Sequence, residues 1–282
     1  MITAKFGPAG NCDAFYASGR KATLQAPAWL REIGLDAYEF QAGNGLRVSD
    51  STLTAIGDQA KKHGIAMSLH TPYFISLSGV DPEKRLKSIT YIKDSLHAAS
   101  LLGADIIVIH TGSAAKISRE EALGLAADTL YKTLEEIGDQ PIKLGLETMG
   151  KINQLGTLEE VISLCKIDPI FCPVVDWGHL NSRNVGGLFP DADAYRHVFH
   201  AIGEALGDGY AQNLHCHFSK IEYTSAGEKR HLTFEDDIYG PHFEPLAEVI
   251  ARDSLSPRII CESAGTQATD ALFMKNTLKN LI

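Results

Sequence analysis

Eight times along the chain a short run rich in Val, Ile and Leu gives way to a longer stretch of helical period, and no other feature restricts the fold so tightly. Short apolar runs bounded by turns read as buried strands, and amphipathic stretches between them as covering helices, which together make βα units around a parallel sheet. The strands are expected at roughly 2–7, 36–41, 65–70, 104–110, 142–148, 171–176, 210–217 and 257–262. Helix starts are marked by Ser49, by Asp81-Pro82, by Ser118 with Glu121 and by Thr157 with Glu160. Helix ends are marked by Gly34, Gly64, Gly103 and Gly138. Eight units in 282 residues, with no linker or low-complexity break, predict an α/β fold of (β/α)8 TIM-barrel type, one domain over residues 1–282. A doubly wound sheet is the alternative, but "GPAGN" after the first strand does not match the GxGxxG phosphate loop.

With 44% hydrophobic residues a chain of this length buries a core without staples. Its five cysteines, Cys12, Cys165, Cys172, Cys216 and Cys261, are odd in number and form no CxxC pair, so neither a disulfide framework nor a thiolate zinc site is indicated. No apolar run is long enough to span a bilayer, and "MITAKFGPAGN" lacks a signal-peptide core. A soluble, cytoplasmic protein without a membrane partner is expected. The net charge of −9 speaks against broad attraction to nucleic acid, while leaving room for a local cationic site. Nothing in the sequence sets the oligomeric state.

Barrel active sites lie at the C-terminal ends of the strands, and there the ionisable residues gather. "AMSLH" ends in His70, "IIVIH" in His110, "LGLET" carries Glu147, "VVDWGH" carries Asp176 and His179, strand 7 carries His215, and "IICES" ends in Glu262. A lone histidine at a strand end is usually structural; six successive strand ends converging on one mouth are hard to assign to packing. Glu147, Asp176 and Glu262 crowded together would raise one another's pKa values unless cations neutralise them, so a metal is implied. His, Asp and Glu donors without cysteine suit Zn, Mn or Fe. Period-2 alternation turns Cys216 and Cys261 away from the mouth and puts His217 on the same face as His215, as a substrate contact or a residue supporting the ligands. His63, His97, His197 and His200 fall on helices and read as surface or packing residues; His242 stays open.

The ordered set "LHTPYFISLSG", "IIVIHTGS", "LETMG", "VDWGH", "LHCHFSK", "KRH" and "CES" resembles the endonuclease IV family, metal-dependent AP endonucleases of base-excision repair built on a TIM barrel. The resemblance runs over most of the chain. It implies two to three divalent transition-metal ions, zinc foremost: one held by His70, His110 and Glu147, a second by Glu147 with Asp176, His215 and Glu262, and a third by His179 and His231. Glu147, Glu262 and Asp176 would be the catalytic carboxylates, Tyr73 matches a DNA-contacting tyrosine, and the implied partner is DNA containing abasic sites. The chain departs from the family where Lys229 replaces an aspartate two residues before the last histidine. Glu228 could substitute only if its loop is re-registered by about one residue. His217 and Phe218 stand where the family has Asn and Asp, and "QAGNGLRVSD" does not match the DNA-penetrating loop.

Lys220, Lys229, Arg230 and Arg183, near the strand 6 and 7 loops, are either phosphate contacts or ordinary solvated charges. A different class remains in play. Sugar isomerases and epimerases on a similar barrel bind one divalent metal through a Glu, Asp, His, Glu set, which Glu147, Asp176, His215 and Glu262 would supply for a small sugar or phosphorylated substrate. The surplus imidazoles His70, His110 and His231 separate the readings, being needless for one metal and needed for two or three. A metal-binding module without catalysis fits poorly with an open mouth lined by so many donors.

Overall fold

Parallel strands that are apolar on both faces have to be covered outside and filled inside, and a closed barrel does both without leaving an edge. A computed structural model, which describes residues 3–282, has this form. The strands are β1 (Lys5–Pro8), β2 (Ala37–Gln41), β3 (Ala66–His70), β4 (Ile106–His110), β5 (Lys143–Glu147), β6 (Phe171–Asp176), β7 (His215–Phe218), β8 (Ile221–Thr224), β9 (Gly227–His231) and β10 (Arg258–Cys261). Eight of them form one sheet in the order β1-β10-β7-β6-β5-β4-β3-β2, with every pair parallel. The seam between β1 and β2 is closed by a parallel bridge from Ala9 to Glu39. Two further bonds, Asp36 N–H to the Phe6 carbonyl and Gly10 N–H to the Glu39 carbonyl, each 2.9 Å, complete it. The expected TIM barrel is therefore the fold. The first residues assigned to strand 1 by the sequence begin at residue 2, outside the described residues.

The helix boundaries follow the local chemistry. Ser49, Asp81, Ser118 and Thr157 each accept a hydrogen bond from a first-turn amide, and Thr157 with Glu160 forms the reciprocal capping box. Gly34, Gly64 and Gly103 close their helices in the left-handed conformation, where a Cβ would be strained. Gly138 differs: its φ is 61° but its ψ is −168°, so it turns the chain without a left-handed cap. Strand 7 also differs. Residues 210–212, expected to open it, belong instead to a short helix, Asp208–Gln212, whose Tyr210 hydroxyl donates to the Pro169 carbonyl at 3.0 Å. The segment after strand 7 folds into the antiparallel hairpin β8–β9, which ends at His231.

Side chains alternate between the barrel lumen and the layer beneath the helices. The outward-facing residues join the main core, including Cys216 and Cys261 as expected. Inward, the lumen is filled by small and branched residues such as Ala37, Ile260, Ile106, Val108 and Val174. At the N-terminal end Arg258 forks onto Asp105 at 2.6 and 2.7 Å and donates to the Met67 carbonyl at 3.1 Å, tying β10 to β3 and the start of β4. Among the described residues no helix is long and apolar enough to cross a membrane.

Closure depends on glycine at one point. A Cβ on Gly7 would lie 1.8 Å from the Ala37 carbonyl oxygen, backbone that cannot move without opening the β1–β2 seam. Gly7→Ala is expected to destabilise the protein by about 3 kcal/mol or more. A urea midpoint unchanged from the wild type would show that the seam yields.

Candidate metal centre

Because side chains alternate along parallel strands, those at the last inward rung of each strand meet above the apolar filling. That rung carries His70, His110, Glu147, Asp176 and His217, with Glu262 one residue past β10. Glu147 is the hub. It is completely buried, with its Oε2 facing His70 Nε2 at 3.5 Å and His110 Nε2 at 3.2 Å. Its Oε1 faces His217 Nδ1 at 2.9 Å and His179 Nδ1 at 3.6 Å. His217 Nδ1 is also 3.5 Å from Glu262 Oε1. Four donor groups result among the described residues, with the donor atoms of each within 4.8 Å of one another: His70, His110 and Glu147; Glu147, Asp176, His217 and Glu262; His179, Glu228 and His231; and, buried beneath these, Glu39, His215 and His217.

The imidazoles are held by partners outside these groups. Nδ1 of His70 lies 3.0 Å from the Thr71 carbonyl and Nδ1 of His179 lies 2.9 Å from the Thr148 carbonyl, so each ring donates there and presents Nε2. His231 Nδ1 is 2.8 Å from the Ser219 hydroxyl. The Asp176 Oδ1 accepts from the His179 amide at 2.7 Å, which caps the helix Trp177–Arg183 and places His179 beside the carboxylate.

Two expectations about individual residues need correction. His215, placed by the sequence with Asp176 and Glu262, sits one rung lower: it pairs in register with Val174, whereas His217 pairs with Asp176. His215 Nε2 instead meets Glu39 Oε2 at 2.9 Å. His217, expected as a substrate contact or a residue supporting the ligands, is fully buried among the carboxylates and takes the place in the central group. The cations fare differently again. Arg183 donates to the carbonyls of Met149, Lys151, Ile152 and Gln154, Lys220 donates to those of Phe234 and Asp236, and Lys229 and Arg230 both pair with Glu222. Arg183 and Lys220 thus fasten loops, while Lys229 and Arg230 stay exposed on the hairpin, as the reading of solvated charges has it.

At the third group the missing aspartate is replaced by a change of register. Ile221 pairs with His231 and Glu222 with Arg230, but Tyr223 pairs with Glu228, so Lys229 is the extra residue of a β-bulge. The bulge turns Glu228 onto the face of His231, with its Oε2 3.5 Å from His179 Nε2 and its Oε1 4.0 Å from His231 Nε2. Glu228 thus stands where an aspartate was sought at position 229. Glu39 was missed altogether. The signal was present, a single charged residue at an inward position of "AYEFQ", but it lies mid-strand rather than at a strand end.

The groups open into a cavity of about 380 Å3 lined by Tyr73, Met149, Lys151, Gln154 and the donors His70, His110, Glu147, His179, Glu228, His231 and Glu262. The Tyr73 ring stands 5.5 Å from those of His70 and His110 and is largely exposed. A larger cavity, about 580 Å3, lies at the other end of the barrel around Asp105, Tyr210 and Arg258, away from the strand ends where barrel chemistry occurs.

Burial works to raise the Glu147 carboxyl, yet the charge of His217 and the close approach of the His110, His217 and His70 imidazoles hold it well below the usual range. Burial works to lower His70, but Glu147 outweighs it and lifts the imidazole to about 9. His179 likewise rises to about 9 against burial, through Asp176, Glu228, Glu147 and Glu262. Burial pushes Glu262 upward. A cation fits this set. Glu147 Oε2 and Asp176 Oδ2 are buried without a hydrogen-bond partner, an expense that a divalent ion with N and O ligands removes.

A closed barrel with a carboxylate and imidazole centre at its C-terminal mouth defines the class. The chain belongs to the family of xylose isomerase-like TIM barrels, whose model matches residues 27–277. It is 26% identical over 250 residues to an uncharacterized protein of Methanocaldococcus jannaschii, covering 87% of this chain and 88% of that one. It is 27% identical over 216 residues to a probable endonuclease 4 of Acholeplasma laidlawii, covering 71% and 69%. Among solved structures it is similar to endonuclease IV from Thermus thermophilus, with TM-score 0.72 and 20% identity over 98% of this chain and 99% of that chain. It is similar in the same way to a D-tagatose 3-epimerase-like protein, with TM-score 0.71 and 19% identity over 98% and 96%. The same fold thus serves a solved endonuclease IV and an epimerase-like protein.

Two outcomes follow from the geometry. His217→Asn should remove one ion from the reconstituted protein while His215→Asn leaves the stoichiometry intact, as read by elemental analysis; the reverse pattern would put His215 in the centre. After chelation, His70 and His179 are cations below pH 9 whose unfolded counterparts titrate near 6.5. Their stabilisation is complete below about pH 6.5 and lost as pH rises through about 9, so the urea midpoint in chelator should fall across that window. With metal bound the trend should invert, because ligation needs neutral imidazole and uptake releases protons. A midpoint in chelator that rises between pH 6.5 and 9 would contradict the assignment.

Proposed function

We propose that the protein is a metal-dependent phosphodiesterase of the endonuclease IV type, a cytoplasmic enzyme of base-excision repair that cleaves DNA on the 5′ side of abasic sites. One observation carries the reading: the two oxygens of Glu147 face different donor groups, His70 with His110 on one side and His217 on the other. A carboxylate so placed suits two ions rather than one. His70, His110 and Glu147 would hold one ion, and Glu147, Asp176, His217 and Glu262 a second. His179, Glu228 and His231 would hold a third, with zinc the first candidate ahead of Mn and Fe. When bound, such ions supply Lewis acidity and lower the pKa of water to near neutrality.

The chain's own residues do the rest. Glu262 reaches the cavity while Asp176 does not, so Glu262 is the carboxylate placed to orient the attacking water and take its proton. Tyr73 walls the cavity and offers a face for the sugar or a neighbouring base. A volume near 380 Å3 admits a sugar phosphate, as a nucleotide that has lost its base and is swung out of the helix would present. Arg47, Lys116 and Lys151, on the loops after β2, β4 and β5, are exposed and without an ion-pair partner among the described residues, leaving them for backbone phosphates.

A second reading has one observation behind it. The central group alone is a Glu, Asp, His, Glu set, enough for the single metal of a sugar isomerase or epimerase, and the cavity would also admit a monosaccharide. Zinc- or manganese-loaded protein should nick a duplex carrying an abasic analogue on its 5′ side and leave a panel of ketoses unchanged. Glu147→Gln should lower the nicking rate on the order of 1000-fold, roughly 4 kcal/mol in barrier. Tyr73→Ala should raise KM more than it lowers kcat, and duplex binding should weaken as salt rises. Epimerisation of a ketose without nicking, with one ion per chain, would replace this reading by the second.

A further inference from the structure

Each donor imidazole with a partner behind it is anchored by a neutral oxygen, with one exception. His70 has the Thr71 carbonyl, His179 the Thr148 carbonyl and His231 the Ser219 hydroxyl. His217 alone is backed by a carboxylate. Its Nδ1 faces Glu147 and Glu262, while its Nε2 lies 3.0 Å from Glu39 Oε1, close but off the line of an ideal hydrogen bond. The other oxygen of Glu39 accepts from the Ser68 hydroxyl at 2.8 Å and meets His215 Nε2 at 2.9 Å. The Gln41 amide Nε2 also donates to Oε1 at 3.3 Å, so Glu39 has partners on both oxygens, supplied by β2, β3 and β7, and none of its surface reaches solvent.

Packing does not explain a carboxylate there. Glu39 lies at the level where other strands place Val108, Gly145, Val174 and Ile260 in the lumen, and an apolar residue of similar size would fill that space without desolvating a charge. What a carboxylate adds is a fixed negative charge behind one ring nitrogen, which holds the proton on Nε2, leaves Nδ1 as the donor and makes that donor more basic. We infer that Glu39 is the positioning residue of the centre: it sets the tautomer of His217 through Nε2 and thereby the affinity of the Glu147–Asp176–His217–Glu262 group for its divalent ion, with Ser68 and His215 holding Glu39 in place. His215, which falls outside the donor group, acquires a role here as the second imidazole on the same carboxylate.

The inference rests on the central group being a metal site, and the test separates the two. Protein stripped with chelator is titrated with Zn2+ against a competing chelator, as wild type, Glu39→Gln and Ser68→Ala. Glu39→Gln keeps the shape and an acceptor oxygen but removes the charge; it should weaken one ion by about 10- to 100-fold and leave the most tightly held ion unchanged. Ser68→Ala, which keeps the charge, should shift affinity by no more than about threefold, or roughly 0.7 kcal/mol. In chelator the urea midpoint of Glu39→Gln should fall as well, because His215 and His217 lose a buried charged partner, so zinc affinity is the deciding readout. A lowered midpoint with unchanged zinc affinity would make Glu39 merely structural and overturn the inference. If Glu39→Gln does not fold, the wild type decides: in 15N-histidine NMR of the 113Cd-loaded protein, His217 should couple to the ion through Nδ1 and carry a slowly exchanging proton on Nε2. Coupling through Nε2, or an ion on Glu39 itself, overturns the inference. A wild type that takes up no ion defeats the metal reading and this inference together, whereas normal uptake with an indifferent Glu39→Gln defeats only the latter.

Discussion

The structure turns on a buried carboxylate. Glu147 ends β5 with no solvent contact, surrounded by four imidazoles from β3, β4, β7 and the helix after β6. Burying that charge is unfavourable unless positive charge surrounds it, and the groups that could supply it arrive on strands remote in sequence. The barrel makes this possible, because closure brings the last inward rung of every strand to one point. The raised pKa values of His70 and His179 and the depressed one of Glu147 are the same electrostatics seen from its two sides.

Around this centre the protein uses its nearby cations for rigidity. Arg183 collects four carbonyls of the loop after β5, and the same loop is joined to the hairpin by Glu228 N–H to the Gly150 carbonyl and Ile152 N–H to the Ala226 carbonyl. The approach is so close that a Cβ on Gly227 would lie 2.2 Å from the Gly150 oxygen, and its φ of 89° also favours glycine. Such stitching holds Glu228 and His231 opposite His179 before any ligand arrives, the preorganisation that a polar site needs. The consequence is a division of labour. Cations under and between the loops are held by carbonyls and by Glu222, while Arg47, Lys116 and Lys151 stay exposed without an ion-pair partner among the described residues.

Much of this was legible in the chain. The alternation of apolar runs and helical periods specified eight βα units, and a strand's period of two identified which face its last residue would present, so His70, His110, Glu147, Asp176, His179, His231 and Glu262 come together at one mouth. Those signals are local: hydrophobic spacing, capping residues and strand termini are each decided within a few residues.

What sequence could not decide was anything set by register between distant segments. Whether His215 or His217 reaches the carboxylates depends on which rung of β7 pairs with Asp176, and two histidines on one strand face are equivalent until β6 is placed beside them. Lys229 yields its place to Glu228 because the hairpin inserts a bulge, a change of one residue that reverses which side chains face inward. Glu39 became meaningful only when β2, β3 and β7 enclosed it with Ser68, His215 and His217. By itself the sequence determined the barrel and the identity of most groups at its mouth, because hydrophobic period is carried by each segment alone. The tertiary structure decided which of those groups face one another, because the separations of a few ångströms on which charge interactions depend exist only after the strands have paired.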